Sequence, residues 1–117
     1  MTGTMFYPNW KEKVVYPAEG AEPQVLEENE KFKMVVGGLE AGQKIPTHPE
    51  SQGIYIFLEG NGKMIVNEEP YLVEAGATVI APDGASRGIE ATTRLSFIAV
   101  KINLYELNKT MCDFEVS

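Results

Sequence analysis

A chain of 117 residues is one domain, large enough for a single stable core and too short for a second. Hydrophobic residues make up 44% and charged residues 23%, which excludes long disordered stretches. Seventeen acidic residues against ten basic ones, a net charge of -7, exclude a general affinity for nucleic acid or for an anionic membrane.

Cys112 is the only cysteine, so no intrachain disulfide forms and a reducing, cytoplasmic setting is expected. The beginning of the chain lacks the basic-then-apolar pattern of a secretory signal. No apolar run approaches the roughly 18 to 20 residues that cross a bilayer.

Residues 1–17 form an arm carrying Phe6, Tyr7, Trp10 and Tyr16. Aromatic side chains on an arm need a surface, either the outer face of the same domain or a partner subunit. The acidic residues Glu27, Glu28 and Glu30 read as a solvated turn. Phe32, Met34 and Val36 then alternate with Lys31 and Lys33, the two-residue period of a half-buried strand.

Residues 54–58 are an apolar run too short for an independent helix, and the sequence Glu59-Gly60-Asn61-Gly62 turns it into a strand over 63–66. A second turn at Asn67-Glu68-Glu69-Pro70 precedes a strand over 71–73. A third at Glu74-Ala75-Gly76 precedes one over 78–81, which Pro82-Asp83-Gly84 closes. The longest apolar run is 95–102, rich in β-branched residues. Beyond it, a tail over 104–117 has helical spacing only at 104–111. About nine short strands with no helix to cover a sheet must bury their apolar faces on each other, so the region 18–103 is an all-β sandwich or closed barrel.

From Gly42 to Ala91 the spacing resembles the two sequence motifs of the cupin family. Gly42 is followed by five residues and then His48, as in the family's first motif, but the second histidine position holds Glu50. Counting back from Gly60 lands on Gly53, with no glutamate where the family has one. In the second motif, Gly76, five residues and Pro82-Asp83-Gly84 fit completely; the metal-binding histidine that should follow is Arg87, and the usual asparagine is Ala91.

The resemblance implies a cupin-type double-stranded β-helix, or jelly-roll, barrel that forms a homodimer. It also implies an inward set of His48, Glu50, Gly53 and Arg87. A ring of histidines and a carboxylate would hold iron, manganese, nickel or zinc. Here at most two donors remain beside a permanent cation, which would repel a divalent ion by several kcal/mol in a low-dielectric pocket, on the order of the Coulomb energy at that range. No metal or other cofactor is therefore expected.

Arg87 either holds a carboxylate, phosphate or sugar-like ligand through bidentate hydrogen bonds, or points to solvent, or pairs with Glu90 or Glu50. His48 is either a rim histidine bonded to Glu50 or a carbonyl, or a base or donor acting near neutral pH. Tyr55 and Phe57 share the face of Gly53 and either line a pocket or fill the core.

Three function classes follow. The first is a small-molecule-binding barrel without a family-type metal, taking a polar or anionic ligand at His48, Glu50, Tyr55, Phe57 and Arg87. The second is an enzyme using His48 and Glu50, either metal-dependent or a metal-free isomerase or lyase. The third is an interaction role in which the arm and the Cys112 tail exchange between subunits.

Overall fold

The computed structural model describes residues 3–103; the tail with its helical spacing and Cys112 lies outside the described residues. A single 3-10 turn, Trp10–Glu12, sits in the arm, and nine strands follow: β1 (Gln24–Glu28), β2 (Phe32–Leu39), β3 (Lys44–Pro49), β4 (Gly53–Glu59), β5 (Asn61–Val66), β6 (Glu69–Glu74), β7 (Thr78–Ala81), β8 (Ser86–Ala91) and β9 (Leu95–Ile102). They form a five-stranded sheet in the order β1-β2-β9-β4-β7 and a four-stranded sheet in the order β3-β8-β5-β6. Every pairing is antiparallel. The fold is an all-β jelly-roll barrel, as the resemblance implies.

The core lies between the inner faces of the two sheets. On β4 the two-residue period sends Gly53, Tyr55 and Phe57 inward, and on β5 it sends Gly62 and Met64 inward. Phe57 is 1% exposed and its ring meets Phe97 of β9 at 6.0 Å between centroids, tilted by 48°. Burying side chains of this size contributes about 1.5–3 kcal/mol each. Gly37 of β2 stands opposite Phe97 in register. A Cβ there would lie 2.6 Å from the ring, so the missing side chain is what lets Phe97 fill the core.

Turns fix the register. Asn67 and Glu68 both have positive φ, 50° and 72°, which makes the β5–β6 link a two-residue turn of the type that matches strand twist. Asn67 is also tied to the start of β8: its N–H donates to the Ser86 carbonyl at 2.8 Å, and its side-chain oxygen accepts from the Ser86 N–H at 3.0 Å.

Glu27 and Glu28 do not lie in a turn. They belong to β1, where a register shift after Val25 pairs them with Met34 and Lys33. As β1 is an edge strand, its acidic side chains face water while the backbone pairs on one side only, and Glu30 alone of the three lies between strands.

Tyr7 and Tyr16 of the arm lie on the chain's own barrel, while Phe6 is 79% exposed. The Tyr7 hydroxyl donates to the Leu26 carbonyl at 2.6 Å, and the Gln43 amide donates to the carbonyls of Pro17 and Ala18, each at 3.0 Å. Tyr16 packs over Gly38, where a Cβ would come within 2.7 Å of the ring. The Arg94 guanidinium stacks on the same ring at 4.2 Å while forking onto both carboxylate oxygens of Glu40.

Candidate functional site

Four strands bring the site together at one end of the barrel. β3 and β8 place His48 directly beside Arg87, and β4 and β9 place Gly53 beside Lys101 and Tyr55 beside Ala99. Glu50 follows β3 immediately, just past Pro49. Between them is a cavity of about 110 Å³. Pro23, Val35, Ile45, Ile89, Phe97 and Ala99 supply its apolar wall, and His48, Glu50, Tyr55, Arg87 and Lys101 its polar part.

Arg87 is 2% exposed, so it does not point to solvent. Nor does it pair with the carboxylates of Glu50 or Glu90. Its Nε donates to the Ala85 carbonyl, and its Nη2 to the backbone carbonyls of Glu50 and Pro82, all at 3.0 Å. Nη1 is buried with no hydrogen-bond partner. Two of the three guanidinium nitrogens are thus committed to the backbone, and the bidentate grip expected from the sequence is closed; the two N–H groups of Nη1 remain. Among the described residues no carboxylate lies within ion-pair distance of this cation. A buried charge without a counter-charge costs several kcal/mol, on the order of the residual desolvation penalty, and three carbonyls offset only part of it.

The mouth of the cavity carries a chain of charge. Glu50 contacts Lys101 Nζ at 3.0 Å through one carboxylate oxygen and His48 Nε2 through the other. His48 Nδ1 lies 3.1 Å from the Pro46 carbonyl. Both ring nitrogens therefore face acceptors. Burial pushes the Glu50 carboxyl up, but the hydrogen bond and charge of Lys101, followed by those of His48, outweigh it and hold the group below the ordinary carboxylate range. His48 is a rim residue with its side chain 51% exposed.

Gly53 is where the inward set changes character. A Cβ at this position would lie 2.8 Å from Arg87 Nη1, 2.8 Å from Tyr55 Cε2 and 3.2 Å from the Tyr55 hydroxyl. The guanidinium and the tyrosine ring occupy the space that a glutamate side chain would need. Tyr55, 4% exposed, lines the cavity. Phe57 belongs to the core against Phe97 and is not among the cavity-lining residues. Of the five site residues read from the sequence, four converge here.

Lys101 was not among them, although it is the one charged residue in the apolar run of β9. That isolation is the signal that could have found it. Among the described residues, no group of three or more His, Cys, Asp and Glu side chains is placed to hold a metal ion. No helix among them is long and apolar enough to cross a membrane.

The family model described as Cupin domain matches residues 32–101, and no curated protein matches the chain. Among solved structures, an RmlC-like cupin protein from Desulfovibrio desulfuricans is 25% identical with a TM-score of 0.77, covering 86% of this chain and 98% of its own. A conserved protein with a double-stranded β-helix domain from Klebsiella pneumoniae is 21% identical, TM-score 0.77, covering 86% and 91%. A structure from Thermotoga maritima described as a predicted oxalate decarboxylase is 27% identical, TM-score 0.66, covering 70% and 79%.

Proposed function

As the chain belongs to the cupin family, we propose that it uses the barrel to bind a small organic anion at Arg87, without a family-type metal. The observation that carries this reading is a guanidinium 2% exposed, lacking an acidic partner among the described residues, with one nitrogen unbonded beside an apolar cavity. An anion supplies the counter-charge that the fold omits. The Thermotoga relative is described as a predicted oxalate decarboxylase, and oxalate is a small organic anion; that likeness supports the same broad ligand class here.

The donor set does not fit the family's metal. Gly53 offers no ligand, the space before it is filled by Arg87 and Tyr55, and both carboxylate oxygens of Glu50 are engaged by Lys101 and His48. A divalent ion would have to displace a lysine and settle near a guanidinium that cannot deprotonate.

A thermal-shift screen of the full chain against organic acids, sugar phosphates and nucleotides tests the reading. A ligand at 100 times its Kd stabilises by about 2.7 kcal/mol, and Arg87→Met should abolish the shift. A panel with no stabilising anion, or shifts indifferent to Arg87, overturns it.

A second reading rests on the mouth. His48, Glu50 and Lys101 form a chain of contacts at the entrance, suited to a metal-free isomerase or lyase in which His48 and Glu50 move a proton on the bound anion. For that reading, His48→Gln should retain binding and lose turnover.

A homodimer is part of the proposal. β6 and β7, edge strands of the two sheets, leave Leu72 and Ile80 exposed, Leu72 by 89%, and exposed apolar side chains on edge strands favour burial against a second copy.

A further inference from the structure

The anion-binding reading leaves open which anions the cavity takes, and its walls and donors narrow the choice. We propose that the ligand is a monocarboxylate with a short apolar body, its carboxylate on Arg87 Nη1 and its hydrocarbon against Val35, Ile45 and Phe97. This inference rests on that reading of the cavity.

The donor count comes first. Nε and Nη2 of Arg87 are held by three backbone carbonyls, so the forked edge that suits a phosphate is closed and only the two N–H groups of Nη1 are free. The Tyr55 hydroxyl flanks the same point above Gly53, 3.2 Å from it against 2.8 Å for Nη1. One carboxylate group can receive both donors. Nη1 is covered in the free protein, so an anion reaching it would have to displace a neighbour, and the Tyr55 ring crowds the same point above Gly53.

Charge decides against a second anionic group. Among the described residues, the other cavity-lining side chains able to carry positive charge, Lys101 and His48, are both already held by Glu50. A second carboxylate reaching the mouth would meet Glu50 itself, a charge kept ionised by its neighbours. Like charges at that range repel.

Size and wall chemistry set the body. An engineered apolar cavity of about 150 Å³ admits benzene, so about 110 Å³ suits a few carbons. The aliphatic and aromatic wall offers nothing to the hydroxyls of a sugar, which would lose their water without replacement.

Calorimetric titration of the full chain with acetate, propanoate, butanoate and 3-methylbutanoate tests this, alongside butanamide, oxalate, succinate and glycerol 3-phosphate. Affinity should rise about fourfold per added methylene until the cavity is full. Butanamide should bind about 10- to 100-fold more weakly than butanoate, and Tyr55→Phe should weaken butanoate about 2- to 10-fold.

Ala99→Leu, which fills the cavity and keeps Arg87, should weaken butanoate more than acetate. If Arg87→Met does not fold, butanoate against butanamide carries the charge test on the unaltered chain. Tighter binding of oxalate, succinate or glycerol 3-phosphate, or a flat or falling chain-length series, overturns the monocarboxylate assignment and leaves anion binding standing. No binding of any anion, or butanamide equal to butanoate, overturns both.

Discussion

Nη1 of Arg87 stands 2.8 Å from the point where a side chain on Gly53 would begin, so the two residues share one space and a side chain at Gly53 would crowd the guanidinium. Gly53→Ala is expected to destabilise the barrel by about 1–3 kcal/mol, the ordinary cost of overpacking a filled core. Urea denaturation measures it. The cost should shrink when Arg87→Met is added, a non-additivity expected of residues in contact; equal costs in both backgrounds would show that the crowding is relieved elsewhere.

The same crowding bears on metal. Untagged protein should carry substoichiometric iron, manganese, nickel and zinc by elemental analysis, and chelation should leave its melting temperature unchanged. One equivalent of a metal whose removal lowers that temperature contradicts the expectation.

Glu50 makes acid stability informative. Its folded pKa lies below its ordinary value of 4.5, so its contribution to stability is complete above that value and is lost as pH falls through the lower folded one. Glu50→Gln, which keeps the shape and removes the titration, should flatten this part of the acid limb in denaturation followed from pH 6 to pH 3. An unchanged slope would mean that Lys101 and His48 do not hold the carboxylate in solution.

Glu68 occupies a left-handed backbone conformation at φ 72°, where a Cβ costs about 1–2 kcal/mol. Glu68→Gly should therefore stabilise the chain by about 0.5–1 kcal/mol, the glycine's own unfolded-state entropy taking back part of the relief. The denaturation midpoint should rise with no change in slope.

Light scattering should give the mass of a homodimer, and Leu72→Asp with Ile80→Asp should yield monomers. A dimer that persists in the double variant removes β6 and β7 from the interface. Deleting residues 1–10 should leave the dimer intact, since Tyr7 bonds to the protomer's own Leu26.

Much of the barrel is legible in the sequence because strands with one buried face advertise their period. Phe32, Met34 and Val36 do so, as does the run in β9. β3 and β8 are quieter. β3 carries Pro46 and Pro49, which an edge strand tolerates because half its backbone needs no partner. β8 holds Arg87, Gly88 and Glu90 and shows no alternation, since its buried positions include a guanidinium and a glycine. Within the site, His48, Glu50, Tyr55 and Arg87 are reachable from motif spacing. Their partnerships are not, because Arg87 bonds to carbonyls and backbone acceptors leave no mark in a sequence. Phe57 shares Tyr55's face, yet depth along the strand puts it in the core.

The double tie between Asn67 and Ser86 makes the β5–β6 turn an outpost of the cavity. Ser86 immediately precedes Arg87 in the chain, so the exposed hairpin tip and the buried guanidinium ride on one piece of backbone. A change at Asn67 is therefore felt by the backbone that carries Arg87 while every cavity-lining side chain stays the same.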